Sequence, residues 1–138
     1  MEGTKITVAT TIAAPVEKVW DYYTAPEHIT QWNFADESWH CPAAQNDLVE
    51  GGKLKSRMEA KDGSFGFDFE ATYDAIEPHK SITYTMGDGR QATTTFEDAG
   101  GNTQVTTIFD AEEEHSLEMQ QRGWQAILNN FKRYTETH

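Results

Sequence analysis

Apolar and polar residues alternate along residues 4–12. Ile6, Val8, Thr10 and Ile12 share one side, and Thr7, Ala9 and Thr11 the other. A period of two predicts a strand with one buried face. After Pro15 the period lengthens: Val16, Val19, Trp20 and Tyr23 recur at helical spacing. Proline is tolerated in a first helical turn, so 15–23 reads as a short amphipathic helix. A second short helix over 25–32 buries Ile29 and Trp32, with Thr24 and Glu27 at the spacing of a capping box around Pro26. Two short helices in succession make a V-shaped elbow.

Residues 33–50 mix aromatic residues with turn formers, which predicts a loop with short irregular strands near 38–41 and 46–49. Gly51-Gly52 turns the chain. Residues 53–61 alternate again, with Leu54, Ser56, Met58 and Ala60 on one face. Asp62-Gly63 is the strongest hairpin signal present. Beyond it Phe65, Phe67, Phe69, Ala71 and Tyr73 alternate with Gly66, Asp68, Glu70, Thr72 and Asp74, a long strand with one aromatic face. Ile76 is out of phase with that set, so a bulge is expected near Asp74-Ala75, and Pro78 ends the strand. Ile82, Tyr84 and Met86 alternate in the next strand, and Gly87-Asp88-Gly89 turns the chain. Residues 90–97 and 103–110 read as a last hairpin, with Thr94, Phe96, Val105, Thr107 and Phe109 inward.

The stretch 110–138 is the only one that can make a long helix. Asp110 and Glu113 have the spacing of a capping box, and Glu112 to Glu114 would meet the positive end of the helix dipole. Leu117, Trp124, Ile127, Leu128, Phe131 and Tyr134 form an apolar stripe over roughly seven turns. Gln121 interrupts that stripe, and Gly123 beside Trp124 suggests a close approach to another element. The antiparallel strands offer one apolar face that needs a cover, and this helix alone can supply it. The expectation is a single α+β domain over residues 1–138: about six to seven strands wrapped on the C-terminal helix, with two short helices after the first strand.

Composition narrows the partners. The chain is 37% hydrophobic but 12% aromatic, so rings carry much of the core. It has 11 basic against 23 acidic residues, a formal charge of -12, which disfavours nucleic acid and anionic membrane surfaces. Cys41 is the single cysteine, so no internal disulfide exists. No leader-like run opens the sequence and no stretch reaches the roughly 18–20 apolar residues of a membrane span, which points to the cytoplasm.

Several segments resemble a known family. These are A-A-P-V-E-K-V-W-D-Y-Y-T-A-P-E-H-I-T-Q-W (13–32), E-G-G-K-L (50–54), F-E-A-T-Y-D-A-I-E-P (69–78) with I-T-Y (82–84), T-T-T-F-E-D-A-G-G-N-T-Q-V-T (93–106) and G-W-Q-A-I-L-N-N-F (123–131). With the order of elements they resemble the helix-grip fold of the START-like, or SRPBCC, superfamily. Within it they are similar to the branch related to the activator of the heat-shock-protein-90 ATPase, the AHSA-type domain. The resemblance implies a cavity between the concave sheet and the long helix. Relatives use such cavities for lipids, hormones, polyketides and aromatic compounds. Some are enzymes, some carriers, and some contact a chaperone.

The inward residues expected near such a cavity are Trp32, Phe34, Trp39, Met58, Phe67, Phe69, Tyr84, Met86, Leu117, Gln121 and Trp124. They would either line an apolar pocket, with the methionines adapting to ligand shape, or fill an ordinary core. Trp124 to Phe131 reads as core, and Leu117 to Gln121 as the half of the helix under which a pocket would open. His40 and Cys41 are adjacent on a strand and point apart, so neither a metal site nor an activated thiol is expected. No cofactor is implied. Asp68 and Glu70 face solvent, where Arg57 and Arg90 could pair with them. No catalytic constellation stands out, so an enzyme ranks behind a binding module for a small apolar molecule and behind a chaperone co-regulator. Oligomeric state is open between monomer and homodimer, with strand 103–110 or the elbow as surfaces that could pair copies.

Overall fold

The computed structural model describes residues 4–138. β1 (Lys5–Ile12) leads into α1 (Val16–Thr24) and α2 (Pro26–Trp32). β2 (Trp39–Asn46), β3 (Lys53–Ala60), β4 (Gly66–Glu77), β5 (Ser81–Met86), β6 (Gln91–Asp98) and β7 (Thr103–Asp110) follow, and α3 (Leu117–Thr137) completes the order. The seven strands form one antiparallel sheet in the order β1-β7-β6-β5-β4-β3-β2. β2 to β7 make a meander, while the α1–α2 elbow carries the chain from one edge strand to the other.

The alternation read from the sequence sets the inward face. Val8, Thr107, Thr94 and Ile82 follow one another across four strands in register, and all four are buried. The register of β4 against β5 shifts between Tyr73 and Ala75, the bulge that the phase of Ile76 predicts. The two short strands expected near 38–41 and 46–49 are one strand, β2, whose pairing with β3 shifts between His40 and Ala43. Pro42 lies in that shift and has no N–H to give to a ladder.

Three expected helix signals are corrected. Asp110 does not start α3. It ends β7, where its carboxylate accepts from the Gln91 N–H at 2.9 Å and pairs with Lys5. The cap is Ser116, whose hydroxyl accepts from the Met119 N–H at 3.0 Å. Glu112 to Glu114 belong to the lead-in, which Gln120 holds: its Nε2 donates to the Glu112 and His115 carbonyls at 3.1 and 2.9 Å, and its Oε1 accepts from the Glu112 N–H at 2.8 Å. α3 therefore has 21 residues, about six turns. At α2 the cap is Ala25 with no side-chain hydrogen bond, because Thr24 donates back to the Trp20 carbonyl at 2.9 Å. A Cβ at Gly123 would meet nothing within 4 Å, so no close approach occurs there.

α3 lies along β1 and serves its open edge. The Gln125 amide donates to the Ala9 carbonyl at 3.0 Å and its Oε1 accepts from the Ala9 N–H at 3.4 Å. Lys132 Nζ donates to the Thr11 carbonyl at 2.6 Å, and the Ala13 N–H donates to Glu136 at 2.8 Å. The other edge, β2, is covered by α2. Strand 103–110 lies between β6 and β1, so it is not an edge on which copies could pair. Among the described residues no helix is long and apolar enough to cross a membrane.

Thr135 is fully buried in α3, and its hydroxyl has no hydrogen-bond partner. An orphaned buried hydroxyl is a cost that an isosteric methyl removes. Thr135→Val should raise the unfolding free energy by about 1 kcal/mol. The check is a chemical-denaturation midpoint that rises at constant slope; a lower midpoint would contradict the assignment.

Candidate functional site

Between α3 and the curled sheet lies a cavity of about 310 Å³. α3 contributes Trp124, Ile127 and Leu128, one helical face held by its spacing. The sheet contributes Leu54 and Met58 from β3, Phe67 and Phe69 from β4, and Ile82 and Met86 from β5, all inward positions of a period-two pattern. The elbow closes the remaining wall with Tyr23, Ile29 and Trp32.

Rings fix these walls. Tyr23 stacks on Trp32 at 5.3 Å between centroids and meets Phe131 edge-on at 5.2 Å. Trp124 lies flat on Phe109 at 3.8 Å. Hydrogen bonds tie the elbow down: Trp32 Nε1 donates to the Tyr22 carbonyl and Asn130 Nδ2 to the Trp32 carbonyl, both at 2.9 Å. Asn46 Nδ2 donates to the Thr24 carbonyl at 2.7 Å, while its Oδ1 accepts from the Tyr73 hydroxyl at 2.7 Å. Phe67 is 43% exposed although it lines the cavity, so it forms part of the rim, and the Trp39 and Phe65 rings extend that rim outward, each 6.1 Å from it.

Polar groups are few. The Tyr23 hydroxyl lies 3.4 Å from Thr94 Oγ1, which lies 2.7 Å from Thr107 Oγ1, a buried hydroxyl chain. Ser56 Oγ is fully sealed and without a partner in hydrogen-bond geometry, although the Cys41 thiol is close enough to feel it. Tyr84 is buried against the cavity, and its hydroxyl makes no hydrogen bond among the described residues. Among the described residues Arg90 is the one charged side chain in the lining. Burial pushes the Tyr84 hydroxyl far above its ordinary range, and burial likewise raises Tyr73 and Tyr23. All three are neutral donors at physiological pH.

Of the residues expected here, Trp32, Met58, Phe67, Phe69, Tyr84, Met86 and Trp124 come together around the cavity. Four do not. Trp39 stays on the outer rim, Phe34 is half-buried outside the lining, and Leu117 is 51% exposed. Gln121 is exposed, and the buried glutamine is its neighbour Gln120. The cavity opens beneath Trp124 to Leu128, not beneath 117–121. Tyr23, Ser56, Tyr73, Arg90, Thr107 and Ile127 also line it. Alternation places Arg90 in phase with buried Ala92, Thr94 and Phe96, a signal masked by its place beside a turn.

Elsewhere the chemistry is sparse. Burial raises the Cys41 thiol, which donates to the Ala43 carbonyl at 3.5 Å, and His40 points instead to Glu59 at 3.6 Å. Arg57 pairs with Glu59 and Asp68, whereas Arg90 pairs with Asp88 and not with Asp68 or Glu70. Glu112, Glu114 and His115 are grouped closely enough to meet a cation, but they sit on the α3 lead-in and none lines the cavity.

A curved antiparallel sheet gripping one long helix behind a helical elbow is the architecture of the START-like, or SRPBCC, superfamily. Residues 13–136 match the family described as Activator of Hsp90 ATPase homolog 1-like protein, and the chain belongs to that family. It is 42% identical to an AHSA1-like protein from Aeromonas hydrophila, over 97% of this chain and 93% of that one, with a TM-score of 0.92. A protein from Cytophaga hutchinsonii is 50% identical over 98% and 94%, with a TM-score of 0.84. A Chromobacterium violaceum protein shares the fold at 20% identity, 97% and 99% coverage and a TM-score of 0.86. No curated protein matches the sequence significantly.

The tyrosines predict an alkaline limit. A hydroxyl whose pKa is raised by folding lends stability that is complete below the unfolded value of 10.0 and is lost as pH climbs beyond it. Tyr23, Tyr73 and Tyr84 should therefore ionise together with unfolding. In a variant with Tyr22 and Tyr134 changed to Phe, tyrosinate absorbance and far-ultraviolet dichroism would change in one step above pH 10. Ionisation of these residues in a still-folded protein would contradict the burial described.

Proposed function

We propose that this protein binds a small, largely apolar molecule of aromatic character in the cavity between the sheet and α3. The observation that carries the reading is the cavity itself, walled by rings, methionines and aliphatic side chains. Its volume of about 310 Å³ lies at the small end for ligand pockets. That suits a compact molecule and not a two-chain lipid. Met58 and Met86 adapt to varied shapes, and flat rings such as Phe69 and Trp124 give stacking surfaces. Tyrosines held neutral and a threonine chain satisfied by its own members support retention more than turnover.

A second reading is co-regulation of a chaperone ATPase, the activity in the family's name. Leu117 and Met119, 51% and 57% exposed at the start of α3, are the side chains that would meet such a partner. Unchanged chaperone turnover at saturating protein would remove it.

The cavity reading is tested by thermal shift and native mass spectrometry against lipids, flavonoids and polyketides. At least one compact apolar ligand should bind and raise the melting temperature, and Ile127→Trp, which fills the cavity from the helix side, should abolish both effects. A panel with no binder would refute it.

A further inference from the structure

Among the polar side chains that line the cavity, Arg90 and Tyr84 stand at neighbouring positions. The Arg90 guanidinium donates from Nε to Asp88 at 2.8 Å and from Nη1 to the Asp110 carbonyl at 3.2 Å. Both bonds hold it in place, and Nη2 has no partner among the described residues. Tyr84 pairs with Ala92 across β5 and β6, and Ala92 is two residues from Arg90, so both side chains leave the same face at neighbouring positions. Burial, with Tyr23 and Tyr73 adding to it, raises the Tyr84 hydroxyl, and the Arg90 charge opposes this as the smallest influence. Both side chains line the cavity, whose other walls are mostly carbon.

We infer that Arg90 and Tyr84 form a polar pole of the cavity, and that its ligand is an organic anion: an aromatic body ending in a carboxylate-like acceptor. This rests on the cavity being a binding site. A ligand of hydrocarbon alone would leave the donors unmatched when water is expelled, which costs affinity. An acceptor that carries charge makes the stronger, charge-assisted bonds to guanidinium and hydroxyl. Asp88 takes up the Nε edge of the guanidinium, and the Asp110 carboxylate also feels its charge, so what Arg90 offers a ligand is its remaining N–H edge. The net charge of -12 repels anions at long range. A preference for an anion must therefore come from the local site.

Two fluorescent probes separate the possibilities: anilinonaphthalene sulfonate, and neutral phenylnaphthylamine, which is the same ring system without the sulfonate. The native protein should bind the sulfonate about tenfold more tightly. Arg90→Gln should erase that preference while leaving the neutral probe within about twofold, which also shows that the variant is folded. Tyr84→Phe should weaken the sulfonate more than the neutral probe. Equal binding of the two probes by the native protein would overturn the polar pole and leave the apolar cavity standing. So would an equal loss of both probes in Arg90→Gln. If neither probe binds a natively melting protein, the cavity reading and this inference fail together.

Discussion

One helix cannot fill the hollow of a seven-stranded sheet. Seven strands at the usual spacing span about 29 Å, whereas a helix with its side chains is about 10–12 Å across. The rest of the inward face must be covered by something else. Here the elbow does part of that work through Tyr23, Ile29 and Trp32, and aromatic side chains from β4 and β5 lean into what remains. They leave about 310 Å³ between them. The cavity is thus a consequence of element widths, and side chains decide only its size and polarity.

The walls differ in how firmly they are held. The sheet is laced by continuous ladders from β1 to β2. The elbow is held by packing and by a few side-chain bonds, among them Asn46 to the Thr24 carbonyl and Asn130 to the Trp32 carbonyl. Each such bond contributes about 1 kcal/mol net, and the burial of Val19, Trp20, Ile29 and Trp32 adds the larger share of the elbow's hold.

Much of this was legible in the alternation of residues. The run from Phe65 to Tyr73, the phase slip at Ile76 and the hairpin at Asp62-Gly63 each anticipated what β3, β4 and β5 do. The helix was legible in kind but not in phase. Anchoring its stripe on Leu117 put Gln121 inside, whereas the buried positions Leu128, Phe131 and Thr135 continue back through Trp124 to Gln120. The acidic run before it has a capping pattern, but Asp110 is claimed by β7 and Lys5, a long-range demand that no local rule contains. The site was half visible for the same reason. Inward rings such as Phe69 and Tyr84 follow from period two. That the Tyr73 hydroxyl finds Asn46, while among the described residues Tyr84 finds no hydrogen-bond partner, depends on where distant side chains arrive.

The seating of β1 has a consequence for how the chain acquires its structure during synthesis. β1 precedes the other six described strands in the chain, yet its ladder partner is β7 and the helix that occupies its open edge is α3, the last two elements of the order. Ile6, Val8 and Ile12 can find their buried places only when nearly all the remaining chain has left the ribosome. The β2–β7 meander can form earlier from neighbours in sequence, with one side of β7 still unpaired. Closure of that side by β1 is a contact of very high sequence separation, the kind that slows folding. Until it happens, the growing chain carries an uncovered sheet edge and an early strand without a partner.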